Sequence, residues 1–428
     1  MTTDLTPPRS AFGAPPRSAF GAPPQGGAAS SPAEPALRRP LDAAPLAQTR
    51  GLLLGTRGWL AVITALAVLT VLIPLLNRAV PDGHVLHVSD YAVGLIGKIL
   101  CYAICALAMD LIWGYTGILS LGHGLFFALG GYGMGMYLMR QIGLDGNYKS
   151  PLPDFMVFLN WQALPWTWAL SHSFVAQMLL VVLVPGLLAL VFGWFAFRSR
   201  IKGVYFSIIT QALTFAAMLL FFRNETGFGG NNGFTDFKRI LDLPIATPAT
   251  RITLFIITGS TLVGFYLLAR GIVNSKYGRV LQAIRDAETR VMFTGYNPLA
   301  YKLSIWTLSA VMCAIAGALY VPQVGIINPS EMSPAAGIEI AIWAAVGGRA
   351  SLIGPIIGAF FVNGAKSWFT VAFPEFWLYF LGALFIVVTL FLPNGIIGLL
   401  RNPRGIIGLL RRSAGIVGLF RKVSAKRP

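Results

Sequence analysis

Charged residues are scarce in this sequence. Asp, Glu, Lys and Arg make up 11% of its 428 residues, whereas they make up roughly a quarter of an ordinary soluble domain. Hydrophobic residues make up 55%. A chain with so little charge and so much apolar surface cannot be an ordinary water-soluble domain, and we expect it to reside in a lipid bilayer.

Residue types that carry out most enzymatic chemistry are also few. The three cysteines, Cys101, Cys105 and Cys313, lie inside apolar runs, which excludes a disulfide framework and predicts small buried side chains. The four histidines are scattered, and the sequence contains no Ser/His/Asp or paired-carboxylate pattern. Residues 364–367 resemble the end of a phosphate-binding loop but lack its first glycine. The sequence therefore predicts no catalytic site, no cofactor and no metal site.

The basic residues point to membrane topology. The formal net charge is +17, a value that by itself is compatible with nucleic-acid binding. The Lys and Arg residues, however, cluster at the ends of apolar runs and form no single patch with interleaved aromatic residues. We expect no nucleic-acid partner, and we expect these bases to meet membrane lipid.

Both ends of the chain differ in composition from the middle. Residues 1–57 are rich in Pro, Ala and Gly and contain the octapeptide PPRSAFGA twice. Such a segment has too little apolar surface to fold, and we interpret it as a disordered cytoplasmic tail. Residues 395–428 repeat a basic decapeptide as GIIGLLRNPR, GIIGLLRRSA and GIVGLFRKVS. This pattern favours a basic cytoplasmic tail on the membrane surface.

Between the tails, residues 58–394 consist largely of apolar runs, and about 20 such residues suffice to cross a bilayer. The candidate spans are 58–77, 91–112, 117–139, 174–197, 203–222, 252–270, 302–322, 336–349, 352–373 and 376–393. The eighth is short and is open to interpretation as a re-entrant segment, so the predicted count is eight to ten. The predicted fold class is all-α, a polytopic membrane helix bundle.

The distribution of Lys and Arg predicts the orientation of the bundle. If the N-terminus lies inside, the inner segments hold most of the Lys and Arg found outside the runs, and they still hold more when both tails are left out. Positive residues favour the cytoplasmic side. We therefore place both termini, and the segment 270–302, in the cytoplasm.

Segment 270–302 is rich in charge and lies between two apolar runs. A stripe at helical spacing is formed by Val280, Ile284, Ala287 and Val291. The stripe predicts a short amphipathic helix, on which Asp286 and Arg290 are spaced to pair, and the residues GYNP at 295–298 predict its end. The charged face meets either a protein partner or only water and lipid headgroups.

Some ionisable side chains fall inside the predicted spans, where each costs roughly 2.5–3.5 kcal/mol to insert. They are Lys98, Asp110, Glu339 and Lys366. All except Asp110 are predicted to lie in the outer half of the bilayer. We expect Glu339 to pair with Lys366 or Lys98 in the bundle interior, either beside a solute path or as a structural ion pair remote from it.

Small residues concentrate in the third and ninth runs. The small-xxx-small spacing that lets helices pack closely occurs at Gly131 and Gly135 and again at Gly354 and Gly358. Near the first pair, Ser120 and His123 are predicted as polar groups at an interface or cavity. Together with Glu339 and Lys366, they are the candidate residues of a solute path.

Two long outer segments are predicted, 141–173 and 223–250. Trp161, Trp166 and Trp168 in the first suit an aromatic belt at headgroup level. The second contains GFGGNNG, a cluster typical of a flexible turn. These segments either meet a partner on the outer face or serve only as interfacial packing and a loose turn.

Several long motifs carry a family resemblance. They are GYTGILSLGHGLFFALGGY (114–132), RIKGVYFSIITQALTFA (200–216), TGFGGNNGFTDF (226–237), GRVLQAIRDAETRVMFTGYNP (278–298) and YVPQVGIINPSEMSP (320–334). Over residues 58–400 the chain resembles the permease subunits of bacterial ABC importers of the branched-chain amino acid family. Through LPDFMVFLNWQALPWTW and NGAKSWFTVAFPEFWLYFLGALF it is most similar to the urea-type permease. The repeats in both tails depart from this pattern.

The resemblance implies a heteromeric importer in the bacterial inner membrane. This chain would work with a second permease subunit, two cytoplasmic ATPase subunits and a periplasmic solute-binding protein. The resemblance also implies that the segment from Gly278 to Glu288 couples the permease to the ATPase. The residues expected to make that contact are Arg279, Arg285, Asp286 and Glu288.

The urea-type motifs favour urea or a short amide as the solute. Urea is neutral and planar, so its path needs polar groups but no obligatory ion. A permease for branched-chain amino acids is an alternative, as is an ATP-independent channel or secondary carrier, which would need no coupling helix. A membrane enzyme is disfavoured because the sequence lacks a catalytic constellation.

Overall fold

The apolar runs of the sequence all form helices. The computed structural model describes residues 56–81, 83–84, 86–391 and 395–401; the octapeptides and most of the decapeptide repeats lie outside these ranges. The helices are α1 (Thr56–Ala79), α2 (Asp90–Thr116), α3 (His123–Ile142), α4 (Asp154–Phe158), α5 (Phe174–Arg198), α6 (Val204–Phe221), α7 (Pro248–Asn274), α8 (Lys276–Phe293), α9 (Pro298–Val324), α10 (Pro334–Gly347), α11 (Ile353–Ala372), α12 (Trp377–Phe391) and α13 (Gly395–Arg401).

Within the described residues, six helices are long enough and apolar enough to cross a membrane. They are α1, α2, α5, α6, α7 and α9. Helix α10, with 14 residues, corresponds to the short eighth run. The predicted all-α, polytopic membrane bundle is confirmed. The start of the first decapeptide repeat, α13, packs on α10 and α11.

Two antiparallel ribbons of two-residue strands accompany the helices in the described part of the chain. β1 (Phe234–Thr235) pairs with β4 (Ile326–Ile327), and β2 (Arg239–Ile240) pairs with β3 (Leu243–Pro244). The cluster GFGGNNG, predicted as a loose turn, leads directly into β1. Its last glycine, Gly233, lies so close to β4 that a Cβ there would be 2.0 Å from a carbonyl oxygen. The cluster is therefore packed against the rest of the structure.

The segments 141–173 and 223–250, both predicted to be outer, contact each other. Trp168 is fully buried and donates its indole N–H to the Gly227 carbonyl oxygen at 3.2 Å. The aromatic-belt prediction is wrong for Trp168, because its ring fills the contact between the two segments. Trp166, by contrast, is 87% exposed, as a residue of such a belt requires.

Helix α9 occupies the centre of the bundle, packed on α2, α3 and α5. It meets α3 with almost no side chain between the two backbones. A Cβ on Gly317 would lie 1.8 Å from the Phe127 carbonyl oxygen, and a Cβ on Gly130 would lie 1.9 Å from that of Ala314. Helices in lipid gain little from the hydrophobic effect when they associate, so their packing depends on such close approach.

The two predicted glycine pairs have different neighbours. Gly354 and Gly358 bring α11 close to the backbone of α10, where a Cβ on Gly358 would lie 2.0 Å from a carbonyl oxygen, and this part of the prediction is confirmed. Gly131 and Gly135 face the side chain of Ile327, and Gly131 also faces Val321 of α9. The close backbone contact of α3 with another helix is made by Gly130, because this residue points towards α9.

Polar side chains add specific links between the helices. Trp306 of α9 donates to the Ala189 carbonyl oxygen of α5 at 2.8 Å, and Gln177 of α5 donates to the Gly133 carbonyl oxygen of α3 at 2.8 Å. Hydrogen bonds of this kind orient helices that lack a hydrophobic driving force for association. The three cysteines are free and buried, as predicted.

We expect Gly317→Ala to destabilise the protein by about 1–3 kcal/mol, because the added methyl group overlaps the α3 backbone. The measurement is the thermal unfolding midpoint of the purified protein in detergent. Gly264→Ala is the matched control, since Gly264 of α7 has no neighbour within 4 Å of the position of a Cβ. Equal effects of the two substitutions would contradict this account of the packing.

Candidate functional site

Helix α8 occupies most of the charged segment 270–302. Its N-cap is Ser275, whose hydroxyl accepts a hydrogen bond from the Gly278 N–H. The helix ends at Phe293, and the following Gly295 has a φ of +86°, in the left-handed region that favours glycine. Asn297 then caps α9 by accepting from the Leu299 N–H at 3.1 Å. The predicted helix and its predicted end are confirmed.

The buried face of α8 differs from the predicted stripe. The buried residues are Gly278, Leu281, Ile284 and Val291, whereas Val280 and Ala287 are only half-buried. The prediction fails at Ala287 because this residue leaves the helical conformation, with φ −156° and ψ 67°. This kink interrupts the 3.6-residue periodicity on which the stripe was based.

Arg285 connects α8 to the end of α2. Its Nη1 donates to the Gly114 carbonyl oxygen at 2.7 Å, and its Nε donates to Asp286 at 2.9 Å. Its aliphatic stem covers Gly117, the residue with positive φ that caps α2. A cation is stabilising there because the free carbonyls at a helix C-terminus are partially negative. Asp286 therefore pairs with Arg285 rather than with Arg290 as predicted.

Glu288 connects the part of α8 after the kink to two other elements. Its carboxylate lies 2.7 Å from the Lys202 Nζ, in the turn between α5 and α6, and 2.5 Å from the Lys302 Nζ of α9. Burial acts to raise the pKa of Glu288, but the hydrogen bonds and charges of the two lysines outweigh it and lower that pKa. Glu288 is thus ionised and held inside this chain.

The residues predicted to contact an ATPase therefore lie in different environments. Arg285 and Glu288 bind other parts of the same chain, and Gly278 is buried against the end of α7, where a Cβ would lie 2.3 Å from a carbonyl oxygen. Arg279 and Asp286 are exposed. The exposed face of α8 is available to a partner, while its other residues fix the helix to the bundle.

A carboxylate of α2 organises the loop between α10 and α11. Asp110 is fully buried and accepts from the Ala350 N–H at 2.6 Å and from the Leu352 N–H at 3.0 Å. Both of these loop residues have positive φ, near +60°, a conformation that costs a non-glycine residue roughly 1–2 kcal/mol. Arg349 of the same loop lies over the Trp113 ring, 4.6 Å from its centroid. The sequence marked Asp110 as buried but gave it no partner.

A polar cavity of about 280 Å³ lies between α2, α3, α10 and α11. Its charged lining residues are Lys98, Glu331, Glu339 and Lys366, and aromatic rings such as that of Trp343 complete the wall. Lys366 donates to both carboxylate oxygens of Glu339, at 2.8 and 2.9 Å. The predicted pairing of Glu339 with Lys366 is confirmed.

Glu331 is the lining residue that the sequence reasoning missed. It lies in the 3-10 turn Pro329–Met332, between α9 and α10, and accepts a hydrogen bond from the Tyr320 hydroxyl at 3.2 Å. The sequence shows it only as an acidic residue within the motif YVPQVGIINPSEMSP. Glu331 lies outside every apolar run. The cost of inserting a charge into the bilayer, which singled out Glu339 and Lys366, therefore did not apply to it.

Ser120 and His123 are located away from this cavity. Both are fully buried; the Ser120 hydroxyl accepts from the Gly122 N–H at 3.1 Å, and His123 Nε2 lies 3.2 Å from the Ser309 hydroxyl of α9. The His123 ring meets Trp306 edge-on. The structure therefore separates the four predicted path residues into a charged cavity and a buried contact between α3 and α9.

Comparison with known proteins gives one family. The family model described as "Branched-chain amino acid transport system / permease component" matches residues 91–389. The high-affinity branched-chain amino acid transport system permease protein LivM of Escherichia coli strain K12 is 22% identical over 73% of this chain and 72% of its own length. The Salmonella typhimurium protein of that name is 23% identical over the same shares.

A third relative matches a smaller share of the chain. The probable branched-chain amino acid transport permease protein LivM of Methanocaldococcus jannaschii is 23% identical over 54% of this chain and 68% of its own length. No solved structure matches the chain.

We expect the bridge from Glu288 to the two lysines to depend on pH. Because the pKa of Glu288 is lower in the folded than in the unfolded chain, its contribution is complete above the ordinary value of 4.5 and is lost as pH falls through the lower folded value. Glu288→Gln should cost no more than about 1 kcal/mol at neutral pH, since the pair is partly exposed. Thermal unfolding as a function of pH measures the effect.

The control for this experiment is Glu225→Gln, a change at an exposed glutamate in the segment between α6 and α7. The difference between wild type and Glu288→Gln should shrink below pH 4.5, whereas the control should follow wild type throughout. A difference that grows as the pH falls would contradict the assignment.

We expect a double-mutant cycle to detect the bond between Glu339 and Lys366. Each single change, Glu339→Gln or Lys366→Met, leaves one charge without its partner, so the double change should cost about 1 kcal/mol less than the sum of the singles. The readout is thermal unfolding. The exposed pair Asp236 and Lys238 serves as control, with a coupling near zero. Additive losses at Glu339 and Lys366 would refute the pairing.

Proposed function

The chain belongs to the family of branched-chain amino acid transport system permease components, and we propose that it forms the solute path of an ATP-driven importer for urea or a short amide. We infer that it works in a bacterial inner membrane with a second permease subunit, two cytoplasmic ATPase subunits and a periplasmic solute-binding protein. The observation that carries the proposal is α8, a charged helix that Arg285 and Glu288 bind to other elements of an otherwise apolar bundle.

The exposed face of α8 is the proposed contact with the ATPase. Arg279 and Asp286 offer charges of both signs, and Phe293, at the end of the helix, is 88% exposed. A large aromatic side chain next to charged residues is typical of the anchor of a protein–protein interface. The inward residues Arg285 and Glu288 then carry a displacement of α8 to the helices that they bind.

The route from α8 to the cavity is short. Arg285 holds the end of α2, and one helical turn earlier Asp110 holds the loop between α10 and α11. Helix α10 carries Glu339 and α11 carries Lys366. A movement of α8 therefore acts, through α2, on the loop that joins the two helices of the Glu339–Lys366 pair.

The cavity suits a small polar solute. Its volume of about 280 Å³ is ample for urea, which needs acceptors for its amide hydrogens and a donor for its carbonyl oxygen. Glu339 and Glu331 supply acceptors, and Lys98 supplies a donor. Because Glu339 and Lys366 already neutralise each other, the solute needs no charge of its own.

Branched-chain amino acids are the second candidate solute. The relatives in Escherichia coli and Methanocaldococcus jannaschii are named for their transport. In this chain, Lys98 and Glu331 place one base and one acid in the same cavity, and these charges suit the carboxylate and ammonium groups of an amino acid.

Uptake by the reconstituted complex tests the proposal. Labelled urea should enter proteoliposomes only when ATP and the solute-binding protein are both supplied, and excess unlabelled leucine should not compete. Competition by leucine would favour the second solute. Transport without ATP would indicate a channel or secondary carrier and overturn the importer assignment.

We expect Asp286→Arg to reduce ATP-dependent uptake at least about tenfold, because reversing an exposed interface charge opposes docking of the ATPase. The measurement is uptake together with ATP hydrolysis and co-purification of the ATPase. Asp236→Arg, at an exposed position in the outer segment, is the matched control. Unchanged uptake and association in Asp286→Arg would refute the proposed contact.

A further inference from the structure

A second cavity lies beside α8 and shares no lining residue with the cavity of Glu339 and Lys366. Its volume is about 420 Å³, and it is bounded by the turn between α5 and α6, the part of α8 after the kink, and the start of α9. The lining residues used below are Arg198, Arg200, Lys202, Glu288, Met292 and Lys302. We call this cavity the basic cleft.

The basic cleft has an excess of positive charge. Its two lysines are already neutralised in part, because both contact the carboxylate of Glu288. Arg198 and Arg200 are exposed, and within the described residues neither has an acidic partner. The cleft therefore presents guanidinium groups, which match the geometry of a phosphate group.

The surface of α5 and α6 beside the cleft is apolar. Helices α5 and α6 both have membrane-spanning length and are largely unburied, and large side chains next to the connecting turn face outwards. Phe195 is 61% exposed and Tyr205 is 75% exposed. Arg198 lies over the ring of Trp194, 5.2 Å from its centroid. Apolar surface thus leads directly up to the cationic groups.

We propose that the basic cleft binds the headgroup of an anionic phospholipid. The phosphate would lie between Arg198 and Arg200, and the acyl chains would follow the exposed faces of α5 and α6. The turn is predicted to be cytoplasmic, where anionic lipid attracts basic residues at the membrane surface. An acidic segment of a soluble partner would match the charge but would not explain the apolar surface beside it.

The site is distinct from the proposed solute path, and its lining includes neither Arg279 nor Asp286, the charged residues of α8 proposed to contact the ATPase. Occupancy would nevertheless be transmitted to α8, because Lys202 contacts Glu288 and also lines the cleft. An anion near Lys202 competes with Glu288 for the same ammonium group. Lipid composition is therefore expected to alter how firmly α8 is held.

Native mass spectrometry of the purified complex tests the proposal with phosphatidylglycerol as probe and phosphatidylcholine as its zwitterionic counterpart. Wild type should retain phosphatidylglycerol in preference. Arg198→Gln with Arg200→Gln should weaken that retention about fivefold for each charge removed. The variant with lysine at both positions should retain more phosphatidylglycerol than the glutamine variant, because the charge is kept, and less than wild type, because an ammonium group lacks the planar fork of a guanidinium.

The matched control is Lys276→Gln with Arg290→Gln, which removes two exposed bases of α8 that do not line the cleft. Undiminished retention in this control, together with loss in the cleft variant, supports the site. Equal losses in both would indicate a general attraction of the basic surface and overturn it. Displacement of the lipid by inorganic phosphate at equal concentration would identify a soluble-anion site and would also overturn it.

Discussion

The buried carboxylate of Asp110 is the interaction on which the predicted cytoplasmic end of this structure depends. A carboxyl group inside a membrane bundle is costly unless it is hydrogen-bonded, and Asp110 accepts hydrogen bonds from two N–H groups of the loop between α10 and α11. That loop adopts left-handed conformations that alanine and leucine rarely take unaided. Because Arg285 binds the same end of α2, one short stretch of helix joins the charged segment to the helices that line the polar cavity of Glu339 and Lys366.

Features that arise from local composition could be predicted from the sequence. Apolar runs of this length form helices because a helix satisfies the backbone polar groups in lipid within a single segment, and the residues GYNP end α8 as glycine and proline generally do. The pairing of Glu339 with Lys366 also followed, since an intramembrane charge needs an opposite charge and few were available. The family resemblance and the family match agree on a permease.

The contacts of the amphipathic helix and of the buried tryptophan could not be predicted. Charges on an amphipathic helix show which face is polar, but not whether that face meets water, a partner or another loop of the same chain. Arg285 and Glu288 bind inside the chain because Gly114 and Lys202, distant in sequence, approach them. Trp168 is buried for the same reason. The kink at Ala287 has no sequence signal that we can identify, since no glycine or proline adjoins it.

The kink has a mechanical consequence. It lies between Arg285 and Glu288, so the two halves of α8 are anchored to different parts of the bundle, one to α2 and the other to α9 and the turn before α6. In a straight helix, a displacement of α8 would move both anchors together. Because α8 is kinked, the angle at Ala287 determines how a displacement is divided between the two groups of helices.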